Sequence, residues 1–309
     1  MKTVYLNKFM SSVVAELEMN GQYGTAHVCG SVLRSVMAFG GEGLPVSGIT
    51  PLWLKAYEGY LLHKGGKGLA WNTVSTYMRM LQAVYNRAVV RKLAAFIPHQ
   101  FRDVFTGRKA DHRRVLERDD MQKLLVEREP DITSPGMAWA RACLELMFRF
   151  HGMPFVDLAH LRKSDLKDGY LTLRRRKTGM PLSARVDGRA MQLLERYRNR
   201  DDTSPYLLCF LDGNLEGMAA YRDYQRILRL LNSRLRALAL WKKVQGKVTS
   251  YSARHTWATV GRYCHIPIEV ISEGLGHASV TTTEGYMKGF GNSRMDRANK
   301  VIMNYIFKG

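Results

Sequence analysis

Three side chains in the last third of the chain could together break a phosphodiester. Arg254 stands in Thr249-Ser250-Tyr251-Ser252-Ala253-Arg254-His255-Thr256, and His277 closes Gly274-Leu275-Gly276-His277. Tyr286 follows nine residues later, in Thr281-Thr282-Thr283-Glu284-Gly285-Tyr286-Met287-Lys288. Cutting a DNA strand without a metal needs a nucleophile at phosphorus, donors to the non-bridging oxygens, and an acid for the departing 5′-oxygen. Tyrosine supplies the nucleophile as a phenolate, and cations bind the oxygens that gain charge. A free phenol ionises near pH ~10, so it reacts at neutral pH only beside cations. The run Arg174-Arg175-Arg176-Lys177-Thr178-Gly179 could supply the acid at Lys177, because lysine gives up a proton readily and arginine stays charged. His255, next to Arg254, reads as a buried structural residue.

Positioning these groups requires a packed frame. The chain has 309 residues and is 46% hydrophobic, enough for two ordinary domains with real cores. Lys plus Arg is 47 against 27 for Asp plus Glu, a net charge of +20. Such an excess favours a polyanionic partner, since each neutralised phosphate releases condensed counterions. No apolar run approaches the ~20 residues a bilayer demands. Lys2, Asn7 and Lys8 leave no cleavable signal pattern, so no membrane and a cytoplasmic location are expected. Cys29, Cys143, Cys209 and Cys264 form no CxxC and are expected as buried free thiols.

Apolar spacing predicts helices over residues 3–20, 25–39, from Pro51 through Leu61, and over 70–93, a four-helix bundle within residues 1–96. Gly40-Gly41 ends the second helix and Pro51 opens the third. Periodicity breaks between Ile97 and Arg114, around Pro98 and Gly107. This stretch, 97–114, reads as a linker lying against DNA through Arg108, Lys109, Arg113 and Arg114. A second domain, 115–309, is expected to be mainly helical with a small antiparallel β-sheet. Its helices are 116–127, 136–151, 188–198, 220–239, 252–264, 267–274 and 294–305. A β-hairpin over 169–182 turns at Lys177-Thr178-Gly179.

The order Arg254, His277, Tyr286, with Thr282-Thr283-Glu284-Gly285-Tyr286 as Thr-Thr-x-x-Tyr, closely resembles the tyrosine recombinase (phage integrase) family. Within it the chain looks like a simple two-domain member similar to Xer-like recombinases and DNA invertases. The resemblance implies an N-terminal SAM-like core-binding bundle and an α+β catalytic domain that clamp around DNA. It implies Tyr286 as nucleophile, Arg254 on the phosphate, His277 as donor to it, and Lys177 as general acid on a hairpin. Arg174, Arg175 and Arg176 become further DNA contacts. The family's His-x-x-Arg is here Tyr251-Ser252-Ala253-Arg254, so Tyr251 takes the first histidine's place and can still donate to an oxygen. The family's earlier Gly-x-Arg is here Gly152-Met153-Pro154, and proline cannot bind a phosphate. Arg149, one helical turn upstream, is the expected substitute, with His151 as the alternative donor. Asp157 matches the family's acidic position and supports the arginine pocket without reacting.

The implied reaction is site-specific recombination (integration, excision or inversion) through a 3′-phosphotyrosyl intermediate. The covalent bond conserves the energy, so neither a metal nor another cofactor is needed. The implied assembly is a homotetramer on two synapsed double-stranded DNA sites, with accessory DNA-bending proteins as further partners. The 295–307 stripe Ala298, Val301, Ile302, Tyr305 and Ile306 is suited to docking on a neighbour. A start within a few residues of Met1 leaves no space for an arm-binding domain and favours a simple recombinase or invertase. Two other readings remain: a catalytically degenerate DNA-binding protein of the same fold, and a type IB topoisomerase.

Overall fold

The computed structural model describes residues 3–107, 109, 115–125, 134–277, 279–284 and 299. The chain divides into two compact units: residues 1–110 with 215–221, and 111–214 with 222–309. It is mostly helical with one small antiparallel sheet, as expected.

The first unit holds α1 (Leu6–Met19), α2 (Tyr23–Gly40), α3 (Pro51–His63) and α4 (Trp71–Val90). Each turns one stripe inward: Phe9, Val13 and Leu17 from α1, and Val74, Met78, Leu81 and Tyr85 from α4. The positions recur every three or four residues, the spacing that lines one helix face. Thr50 caps α3, its hydroxyl accepting from Trp53 N at 3.2 Å, with Pro51 in the first turn. The linker expected over 97–114 is corrected in its first part: Phe101 and Val104 are buried in this core. Glu58 accepts from Phe105 N at 2.7 Å, and Ser75 Oγ donates to Gly107 O at 2.6 Å. Two aromatic or branched side chains among prolines and polar residues show no period, so their burial is invisible to spacing.

The second unit carries α5 (Arg118–Leu125), α6 (Pro135–Arg149), α7 (Phe155–Ala159), β1 (Leu166–Lys167), β2 (Tyr170–Arg174), β3 (Pro181–Arg185) and α8 (Gly188–Arg196). It continues with α9 (Gly217–Trp241), whose first turns group with the first unit, then α10 (Ser252–Tyr263), α11 (Ile268–Gly274) and α12 (Val280–Glu284). The sheet order is β1-β2-β3, antiparallel, with Leu171 opposite Ala184 and Arg174 opposite Pro181. Leu171, Leu182 and Ala184 alternate into a core shared with α6, α8 and α9.

Helix α6 stops at Arg149, short of the expected His151, because His151 (φ 56°) and Gly152 (φ 66°) enter the left-handed region. Helix α7 and strand β1 had no period long enough to be expected. Cys29 and Cys143 are buried free thiols, but Cys209 and Cys264 are exposed, correcting the expectation for those two. Cys264 stands at the end of α10, where the buried stripe has run out. Among the described residues, no helix is long and apolar enough to cross a membrane, and no cluster of side chains could hold a metal ion. Tyr286 and, apart from Asn299, the helix expected over 294–305 lie outside the described residues.

Candidate active site

The site forms where the first turn of α10 meets the loop after α6 and the Leu275-Gly276-His277 turn. Arg254 is 1% exposed, the largest fully buried side chain among the described residues. Its Nη1 donates to Gly152 O at 3.0 Å, and its Nη2 donates to Leu275 O at 2.6 Å and to His277 Nε2 at 2.7 Å. Glycine is required at 152: a Cβ there would lie 2.9 Å from Arg254 Cα. The Gly-x pattern is therefore explained by the approach of the α6 loop to α10.

A guanidinium only donates, so His277 Nε2 must accept, which places the imidazole proton on Nδ1. That proton is donated to Thr283 Oγ1, 2.8 Å away, near the end of α12. The ring is thus neutral and held at both nitrogens. Burial, followed by the charges of Arg254, Arg175 and Lys177, pushes its pKa down from 6.5 to about 3. Burial also pushes His160 down to about 4, with Arg176 adding to the effect. Both groups bind a proton more weakly when folded than when unfolded. Their contribution is complete above pH ~6.5 and is lost as pH falls toward 4 and then 3, where the unfolded chain binds more protons. In the DNA-free protein, the thermal midpoint is expected to fall steadily from pH 7 to pH 4. His277→Gln and His160→Gln should each flatten part of that slope in melts followed by circular dichroism.

The β2–β3 hairpin brings the second group of charges. Arg175, just past β2, is buried at 5% exposure. Its Nε donates to Asp157 Oδ2 at 3.1 Å, and its Nη1 donates to Leu275 O at 2.6 Å and Gly276 O at 2.9 Å. Asp157, from α7, also accepts from Arg176 N at 2.9 Å, so one carboxylate latches the hairpin at two points. Gly276 (φ 61°) must be glycine too, since a Cβ would meet Arg175 Cδ at 2.6 Å. Lys177 is exposed in the turn, and its charge is felt at His277. Arg174 and Arg176 are exposed, Arg174 donating to Gly179 O at 3.2 Å.

Arg149 does not join this cluster. Its Nε donates to Glu145 at 3.0 Å and its Nη1 to Asp187 at 2.6 Å, the carboxylate that caps α8. Two nearby carboxylates therefore engage Arg149, the substitute expected for the missing arginine. His151 lies at a tilt against Trp257, ring centroids 5.6 Å apart, and lines a cavity with Trp257, Leu182 and Glu273. Burial lowers its pKa, and its Nδ1 is buried without a partner, which does not suit a protonated donor. Tyr251 stands exposed at the N-cap of α10, its ring 6.4 Å from His255, which is buried as expected. Lys109 is fixed by Asn72 through two 2.8 Å backbone bonds, with Nζ 4.3 Å from the Trp71 ring centroid. Arg108, Arg113 and Arg114 lie outside the described residues. The place of Arg175 and the pairing of Thr283 with His277 were not anticipated. The Asp157 expectation was the one available clue to the first.

Among the described residues, two buried guanidinia, a neutral imidazole and a nearby lysine gather around one carboxylate, an arrangement whose chemistry suits an anion. Comparison with known proteins agrees with that chemistry. Residues 5–102 match the Phage integrase SAM-like domain and residues 114–290 the Phage integrase family. A tyrosine recombinase XerA from Pyrococcus furiosus is 29% identical over 140 residues, 44% of this chain and 46% of that protein. The match thus spans under half the length of that relative. A putative integrase/recombinase, y4gC, from Sinorhizobium fredii is 27% identical over 180 residues, 56% of this chain and 88% of that protein. Among solved structures, the Tn1549 transposon integrase with transposon right end DNA superposes with TM-score 0.66 at 16% identity, covering 98% of this chain and 99% of that one. Lambda integrase(75-356), a dimer bound to a COC′ core site, gives 0.63 at 18% identity, covering 94% and 97%. These structures share the fold, and the 114–290 match covers more than half of the sequence: the chain belongs to the phage integrase family.

Proposed function

We propose that this chain is a site-specific DNA recombinase that cleaves and rejoins strands through a 3′-phosphotyrosyl intermediate. The observation that carries the reading is the buried Arg254–His277 pair, joined at 2.7 Å in a chain of the phage integrase family. Arg254 binds a non-bridging oxygen with its planar fork. His277 donates to the same phosphate from Nε2 only after the anion draws Arg254 away and that nitrogen gains a proton, taken up by the ring or shifted from Nδ1. Tyr286 attacks phosphorus. Lys177 protonates the 5′-oxygen as the P–O bond breaks, and a 5′-hydroxyl from another strand reverses the step. Tyr251 is an auxiliary donor at the helix start.

The working division is a DNA-binding bundle that takes in residues 97–107 as well as 1–96, and a catalytic domain over 115–309. The +20 charge, with Lys109, Arg174 and Arg176 exposed, favours double-stranded DNA as partner. Lambda integrase has been solved as a tetramer on a Holliday junction, with a TM-score of 0.60 to this chain. By analogy, a homotetramer assembles on two synapsed DNA sites in the cytoplasm, with the C-terminal helix docking on a neighbour.

The test is covalent trapping on duplexes nicked beside the cleavage position, followed by sequencing of the attached DNA. An adduct is the expected result. Binding without an adduct would make the chain a DNA-binding protein only. Supercoil relaxation by monomers without synapsis would make it a topoisomerase.

The general acid can be isolated by leaving-group chemistry. An acid is needed because the 5′-oxygen departs as a strongly basic alkoxide, whereas sulfur departs without a proton. Lys177→Ala should be severely impaired on ordinary DNA and largely rescued on a 5′-bridging phosphorothioate. Arg176→Ala should show no selective rescue. If sulfur fails to rescue the lysine variant, Lys177 is a phosphate contact and the acid lies elsewhere.

A further inference from the structure

The stretch Gly152-Met153-Pro154 lacks the arginine that its family pattern carries, and Arg149 is engaged by Glu145 and Asp187. One guanidinium alone would then face a phosphate whose charge grows as the nucleophile arrives. The hairpin supplies another. Arg175 and Arg254 are both buried, and each donates to the same carbonyl, Leu275 O, at 2.6 Å. Two nitrogens sharing one acceptor stand within ~5 Å of each other, a separation at which both can donate to a single phosphate.

The charge balance points the same way. Asp157 pairs with Arg175, and the neutral His277 adds no charge, so the described residues around Lys177 carry more positive than negative charge. An excess of positive charge favours an incoming anion. Arg175 spends Nε on Asp157 and Nη1 on two carbonyls, which leaves Nη2 without an acceptor among the described residues.

We propose that Arg175 supplies the second guanidinium on the scissile phosphate, replacing from the hairpin the arginine missing at Pro154. The assignment rests on the recombinase reading. It gives the hairpin two roles. Its exposed turn carries the acid, Lys177, and its buried root carries a phosphate ligand latched to Asp157. The site is complete only while that latch is closed.

A strut that merely braces Gly276 would have the same contacts, so the experiment must read the phosphate itself. Duplexes selected for binding are prepared with one neutral methylphosphonate walked along each strand, and affinity is measured for the unaltered protein and Arg175→Ala. At one position the unaltered protein should lose ~10–100-fold, the worth of a charge-assisted contact. Arg175→Ala should bind the ordinary duplex more weakly and lose nothing further at that position. Cleavage by Arg175→Ala should fall ~10²–10³-fold. Adding Pro154→Arg should restore at least ~10-fold of it, by returning a guanidinium to the same anion.

An equal methylphosphonate penalty in both proteins would overturn the proposal and leave Arg175 a brace. Where the alanine variant fails to melt cooperatively, the pair Arg175→Gln with Asp157→Asn removes both buried charges and gives the same comparison. Coupling to one phosphate with no adduct from the unaltered protein would keep Arg175 as a ligand and sink the recombinase reading. An adduct without coupling would sink the Arg175 assignment alone.

Discussion

Tyr286→Phe should abolish the covalent protein–DNA adduct and leave DNA affinity unchanged. The substitution removes one oxygen, the atom proposed to attack phosphorus, and keeps the ring. Binding draws on a charge of +20 spread over many Lys and Arg side chains, to which a neutral phenol adds little. No residual rate is expected above background, because no other step can make a phosphotyrosyl bond. The measurement is denaturing gel analysis of nicked duplexes, with filter binding in parallel. A persistent adduct would refute the assignment and move it to another tyrosine, first Tyr263 or Tyr251.

Arg254→Ala is expected to reduce the cleavage rate ~10²–10³-fold, equivalent to about 3–4 kcal/mol of transition-state stabilisation. The arginine is held in place by Gly152 O and Leu275 O, so only its contact with His277 has to give way when the anion binds. Affinity should change far less than rate. The variant also takes the Arg254 donor from Gly152 O and His277 Nε2, while Leu275 O keeps Arg175, so folding stability should drop by about 1–3 kcal/mol. Rates must therefore be compared well below its melting temperature. Arg254→Lys separates charge from geometry: it keeps the cation but cannot span the same acceptors with a planar fork. Equal losses in affinity and rate would reduce Arg254 to a positioning contact.

Much of the site was legible because its parts are adjacent in sequence or regularly spaced. Arg254 and His277 are separated by one helix and a turn, so their meeting follows once α10 and α11 fold. The bundle helices announced themselves by apolar periods, since a helix must bury one face and repeats that face every three or four residues. Burial of Phe101 and Val104 was not legible, because an irregular segment packs without a period.

The fate of the arginines shows the boundary most clearly. Residue order alone determined the chemistry: a tyrosine, a histidine, an arginine and a basic hairpin of the phage integrase pattern, with proline where one cation should be. It could not decide which arginine turns inward. Arg149 and Arg175 are the same side chain, each with reach enough for the pocket. Only the tertiary structure placed Glu145 and Asp187 around the first, and Asp157, Leu275 O and Gly276 O around the second. A long flexible cation goes where a buried acceptor is already waiting, because an unpaired buried polar group costs more than the side-chain entropy lost in satisfying it. Those acceptors come from segments up to 101 residues away in sequence, and no local pattern encodes their meeting.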